Sequence, residues 1–410
     1  MAAENCVEEV LTGSGGLASS GGAGGGAGGA TAATPAVDLA LAFIGGDHAQ
    51  HADEIGRFIR RELDPGCLLG VTATGIAGLD REIEESAGVS LLALSLPGTS
   101  LRPFSYAELP HAAPDDPEAM RDLAEAVGAG PDLRGLLFFA DPYSVPVAPV
   151  VRSLSALSNA APGVERCPVI GGMASTPGGP GKNALLFNGS TVRSGGVGVA
   201  ISGDVTLDTL VSQGCRPIGE PMVVTSAKRN VLMQLGGRKA IDVVREVVNE
   251  LDEDERMLLS SGLFVGRVVN EYKQRFGRGD FLIRNVLGVD QNSGAVAVGD
   301  ALRVGQTVQF HLRDAETARE DLQLLLQSEV LKSPAAAALM CTCSSRGESL
   351  FDSPNYDASA VTRWLSQPAG VKPDAFPLAG FFAGGEIGPI GRESHVHAHT
   401  ASVAIFRPSS

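Results

Sequence analysis

Several things are scarce in this chain, and each scarcity closes off a class of protein. Aromatic residues make up 5% of the 410 residues. No stretch of eighteen uninterrupted apolar residues occurs, so no membrane-spanning helix is expected. Six cysteines, at 6, 67, 167, 215, 341 and 343, are spread too thinly for a secreted disulfide scaffold. Reduced thiols in a cytoplasmic compartment are expected instead. Basic clusters are also missing. The formal net charge is -15, and Arg57, Arg60 and Arg61 are interleaved with Asp53, Glu54 and Glu62. Such a surface repels nucleic acid and anionic membranes, so neither is expected as a partner. The first basic residue is Arg57, preceded by Glu4, Glu8 and Glu9. Secretory and organellar leaders need the opposite bias, which again favours the cytoplasm.

What is present is enough apolar sequence, 44% of residues, to bury the cores of two domains. Residues 1–36 are rich in Gly, Ala and Ser and cannot bury enough apolar surface to offset their ordering entropy, so a disordered arm is expected there. The rest reads as α+β: two mixed α/β sandwich domains, 37–203 and 204–410, with largely antiparallel or mixed sheets. Mainly apolar runs predict a strand at 67–73 and a buried strand at 133–140, and helices are expected over 53–63, 118–127 and 239–251. Asp314 is placed to cap a helix in which Ala318, Leu322 and Leu326 recur. No repeat of fixed period is evident.

Three stretches are candidates for chemistry. GVTATGIAGLDREIEE at 70–85 joins a strand to a small-residue turn; it fits a backbone cradle for a ligand or a plain tight turn. PVIGGMASTPGGPG at 168–181 invites comparison with a phosphate loop, but Thr176 and Asn183 occupy positions that need Gly and Ser or Thr, so that reading fails. The third is the C-terminal set CTCSSRG (341–347), GFFAGGEIGPIG (380–391) and HVHAHTA (395–401). Arg346 beside Cys343 favours thiolate character, although free cysteines are commonly just packed. Glu386, in an otherwise apolar segment, needs a partner or a ligand, because a dry unpaired carboxylate is expensive. His395, His397 and His399 alternate and would share one face of a strand, yet one short strand rarely completes a metal site. No metal, cofactor or catalytic residue is assigned.

Taken in order, these fragments resemble the FIST family of signal-transduction sensory proteins, with its N-terminal and C-terminal domains. The resemblance is carried by 70–84, DPYSVP (141–146), VIGGMAS (169–175), GGVGVAISGDV (195–205), 212–240, FLIRNVLGVDQNSGAVAVGD (281–300), CSSRG (343–347), 380–391 and HAHTASVAIF (397–406). It implies an intracellular protein that binds a small polar metabolite, an amino acid or a similar compound, and that does no catalysis. Carried over by position, Cys343, Arg346, Gly385, Glu386 and His397 are the first pocket residues, with Gly171, Gly172, Gln213 and Arg216 following. The sequence departs from the family pattern at Val71, where many relatives have Cys, and at His395 and His399. No F-box-like segment or output module is recognised, so signalling through a separate protein partner is expected. The alternatives are a protein-binding adaptor of the ubiquitin-ligase-associated FIST type and a hydrolase or transferase dependent on Cys343.

Overall fold

The run Cys67–Ala73, apolar but for Thr72, is buried at every residue, as befits a strand covered on both faces, and Thr72 Oγ1 is satisfied there by the Ala184 N–H at 2.8 Å. In the computed structural model, which describes residues 36–409, it pairs in parallel with Leu39–Gly45, and the helix Ala52–Leu63 crosses between the two. The expected arm over 1–36 lies, apart from its last residue, outside the described residues. The fold is mixed α/β with several mixed sheets. It divides into two compact units: the chain up to Leu210 with Leu326–Val396 and Ala401 onward, and Val211–Leu325 with His397–Thr400.

The first unit repeats one pattern three times. A strand, a crossover helix and a parallel strand are followed by a hairpin and a closing strand antiparallel to the first. The parallel pairs are Leu39–Gly45 with Cys67–Ala73, Leu133–Ala140 with Val169–Met173, and Ala337–Cys343 with Leu378–Ala383. Each hairpin leaves its own repeat and extends the sheet of another. Ile76–Gly78 pairs with Leu378–Ala383, Leu185–Phe187 with Cys67–Ala73, and Glu386–Ile390 with Val169–Met173. The exchange is cyclic: the first repeat lends to the third, the second to the first, and the third to the second.

A sequence signature accompanies the repeat. GVTA (70–73), GGMA (171–174) and GFFA (380–383) share Gly-x-x-Ala. A Cβ on Gly70, Gly171 or Gly380 would fall 2.3, 2.0 or 1.9 Å from the carbonyl oxygen of Ala42, Phe138 or Met340 on the parallel neighbour. Only glycine permits that approach. The paired alanines Ala73, Ala174 and Ala383 all enter one core with inward residues of the three sheets. There Phe43, Phe139 and Phe381, one from each repeat, pack with ring centroids 5.1–5.8 Å apart. The repeats have no fixed period, because the second unit is inserted between the second and third.

The second unit is a seven-stranded sheet made of antiparallel pairs. The amphipathic helix Ala240–Glu250 covers one face through Val243 and Val247, and Phe264, Phe281 and Ile283 pack on another cluster. Asp314 accepts from Glu316 N at 3.1 Å and Thr317 Oγ1 at 2.7 Å, forming the cap its position predicts. Among the described residues no helix is long and apolar enough to cross a membrane.

Candidate functional site

Alternation along Ala337–Cys343 sends Leu339 and Cys341 into the central core and Thr342 to the opposite face. At the end of the strand a tight turn, with Arg346 N donating to Cys343 O at 2.8 Å, brings the arginine back onto that opposite face. Its guanidinium meets Asp357, near the start of the helix Tyr356–Ala369. Arg346 Nε and Nη2 donate to the two carboxylate oxygens, each at 2.7 Å, and Thr342 Oγ1 adds a third bond at 2.9 Å. The arginine also lies over the Phe351 ring, 5.2 Å from its centroid.

This ion pair is fully dry, with side-chain exposures of 1% and 0%. Burial works against the charge on Arg346, but Asp357, Cys343 and Glu386 outweigh it, and the net shift is upward. Arg346 is therefore a permanent cation. Its remaining nitrogen, Nη1, is buried without a hydrogen-bond partner among the described residues. A buried charged donor left in this way is costly unless an acceptor arrives.

Glu386 reaches the same group from the hairpin that the third repeat, which also carries Arg346, lends to the second. It opens the lent strand Glu386–Ile390 and stands opposite Gly172, with Ile387 opposite Gly171. Backbone bonds from Met173 N to Gly385 O at 2.8 Å and from Gly384 N to Met173 O at 2.9 Å fix that register. A Cβ on Gly172 would come 2.9 Å from Ala383 Cβ and 3.0 Å from Phe381 Cζ, so the glycine lets the strands close here. The carboxylate is fully buried, and its charge raises the pKa of both Arg346 and the packed thiol Cys341, the latter mainly through burial. Cys343 lies beside Ser345, Sγ to Oγ 3.1 Å, under the exposed Ser344.

Cys343, Arg346, Gly385, Glu386, Gly171 and Gly172 thus belong to one group within the first unit. Gln213, Arg216 and His397 belong to the second unit. Gln213 Nε2 donates to Phe281 O at 2.7 Å, while Arg216 lies 3.6 Å from Asp314 and 3.8 Å from Glu255. His397 is buried at the end of the strand Glu393–His397. The histidine alternation holds for His395 and His397, both on the strand Glu393–His397, and fails at His399. His399 takes a left-handed φ of 62° in the turn after that strand, where its Nε2 lies 2.9 Å from Asn285 Oδ1 and its ring packs edge-on to Phe264. Among the described residues no three His, Cys, Asp or Glu side chains are grouped to hold a metal ion.

The residues that sequence reasoning missed are Asp357, the partner that holds Arg346, and Glu82, which borders both. Asp357 carried a signal, since acidic residues favour the first turn of a helix. Glu82 carried little: its neighbours lie at the far end of the chain.

Comparisons with known proteins identify the family. The FIST N domain matches residues 38–238 and the FIST C domain residues 240–389. An uncharacterized protein of Mycobacterium tuberculosis is 35% identical over 375 residues, covering 91% of this chain and 91% of the relative. An uncharacterized protein of Mycobacterium bovis is 35% identical over 380 residues, covering 90% and 91%.

Proposed function

The chain belongs to the FIST family, and from that premise we propose that its first unit senses a small polar metabolite of the free-amino-acid type at Arg346 and Glu386. FIST domains are associated with signal transduction and small-ligand sensing. The observation that carries the reading is Arg346 Nη1, a buried donor on a permanent cation whose other edge is already held by Asp357. A ligand carboxylate supplies the acceptor that nitrogen lacks. The carboxylate of Glu386, close enough to raise the pKa of Arg346, supplies the opposite charge for a ligand ammonium group. Cys343, Gly385, Gly171 and Gly172 complete the proposed site, and the signal passes to a separate protein partner.

The test is thermal unfolding of the full chain against a panel of amino acids and their derivatives. A ligand at about a hundred times its Kd stabilises the native state by about 2.7 kcal/mol. At least one panel member should raise Tm, and Glu386→Gln should abolish that shift. A silent panel, or a shift that Glu386→Gln leaves intact, contradicts the proposal.

A further inference from the structure

Glu82 lies on the hairpin that the first repeat lends to the third sheet. Its backbone N donates to Asn355 Oδ1 at 2.7 Å, and its Oε1 accepts from Ala358 N at 2.9 Å. Asn355 is the N-cap of the helix Tyr356–Ala369, and Ala358 is the third residue of that helix. Glu82 thus takes the part of an N-cap side chain, accepting from the third helical N–H, while the Asn355 amide accepts from its backbone in return; the cap is supplied by a distant strand rather than by the helix itself. Ser359 Oγ reinforces it by donating to Asp80 O at 3.0 Å. Nearby on the hairpin, Glu84 Oε1 accepts from Glu348 N at 2.8 Å. The hairpin therefore grips the segment carrying Arg346 on both sides.

One oxygen of Glu82 is not used in this grip. Oε2 is buried and has no hydrogen-bond partner among the described residues. Three charged groups face the side chain: Asp357 from the helix, Glu84 from its own hairpin, and Arg346 from the turn. Burial first, then the charge of Asp357, push the carboxyl up to about 8, against the opposing pull of the Ala358 N–H and Arg346. At neutral pH Glu82 is held as an acid beside the cation of the proposed site.

We propose that this site takes a small carboxylate together with a proton, the carboxylate docking on Arg346 and Glu82 retaining the proton. The inference rests on the ligand site proposed above and adds its ligand class and its regulation. Arg346 is the positive charge among the three that face Glu82, and it favours the ionised form. A carboxylate on Nη1 offsets that charge, so Glu82 holds its proton more tightly in the complex. Linkage makes the effect reciprocal: protonated Glu82 raises the affinity for the carboxylate by the same factor. Affinity is greatest below the Glu82 midpoint and falls as pH rises through about 8. The hairpin and the Arg346 segment thus respond to ligand and proton as one unit.

The experiment uses acetate as the carboxylate probe and acetamide as its uncharged counterpart, on the full chain at constant ionic strength. Acetate, and not acetamide, should raise Tm, with an apparent affinity about five-fold or more tighter at pH 7 than at pH 9. Glu82→Gln should still bind acetate but lose the pH dependence. In wild-type protein with 13C-labelled glutamate carboxyls, one carboxyl should titrate near pH 8 and move upward when acetate is added. This second measurement needs no variant to fold. Equal acetate affinity at both pH values overturns the proton coupling and leaves the site standing. No acetate binding at either pH overturns the carboxylate assignment. An amino-acid panel that is also silent removes the site itself.

Discussion

Arg346 and Asp357 form a two-pronged ion pair, both bonds 2.7 Å long, in which neither side chain exposes more than 1% of its surface. A pair this dry contributes little over an apolar replacement of both partners, but removing one partner strands the other's charge. Arg346→Met should therefore destabilise the chain by about 3–5 kcal/mol. Chemical denaturation with circular dichroism measures it, and a loss below about 1 kcal/mol would be the size expected of an exposed pair.

The glycines of the repeat signature give a second prediction. Gly70→Ala and Gly380→Ala each place a methyl group within 2.3 Å of a backbone oxygen that cannot rotate away. Each should cost about 1–3 kcal/mol or more through forced strand separation. Gly130→Ala, where an added Cβ meets nothing within 4 Å, is the matched control and should change little. Equal stability in all three variants would mean that the close strand approach is not maintained in solution.

These glycines also mark the limit of what the sequence made legible. The strands Cys67–Ala73 and Leu133–Ala140 are readable to the residue, because strands covered on both faces leave largely apolar runs, here interrupted only by Thr72 and by the exposed Arg134. Gly-x-x-Ala stands at the end of the second parallel strand of each repeat, but it also stands elsewhere, as at 181–184, 237–240 and 294–297, and loops of different length and the inserted second unit hide any period. The candidate motif 380–391 begins inside the strand Leu378–Ala383, so its first four residues are also the third copy of a structural element. Cys343, Arg346 and Glu386 were identifiable by residue type. Their neighbours were not, because Asp357 and Glu82 depend on a turn that folds back and on a hairpin lent to another repeat. His399 was misjudged for a local reason: its left-handed turn breaks the alternation on which the shared-face reading depended.

His311 supplies a pH-dependent prediction for the second unit. Burial pushes its imidazole down to about 4, against the opposing Gln309 O contact, from a reference value of 6.5. A histidine with a depressed folded value contributes stability that is fully present above the unfolded value. That contribution drains away as pH falls from 6.5 toward 4. The change amounts to about 3 kcal/mol at 1.36 kcal/mol per pH unit. Denaturation midpoints at pH 7 and pH 5 should differ in the wild type, and the difference should shrink in His311→Phe. An unchanged difference would show that His311 is not the group responsible.

Cys343 is expected to be the first thiol alkylated among the described cysteines. Cys67 and Cys167 are pushed up to about 12 by burial and Cys341 is raised well above the ordinary thiol range. Cys343 sits at a strand end under the exposed Ser344 and beside the Arg346 cation. Timed iodoacetamide labelling followed by peptide mass spectrometry should find it modified first, and more slowly in the presence of a bound ligand. Labelling of Cys67 or Cys167 ahead of Cys343 would contradict the assignment.

The central claim is that Arg346 Nη1 waits for an acid group, and it is tested most directly by a crystal structure of the full chain with the panel member that raises Tm most. The account predicts a ligand carboxylate oxygen within hydrogen-bonding distance of Nη1, with the Asp357 bonds intact. A ligand bound elsewhere, with Nη1 contacting only an ordered water, would contradict it.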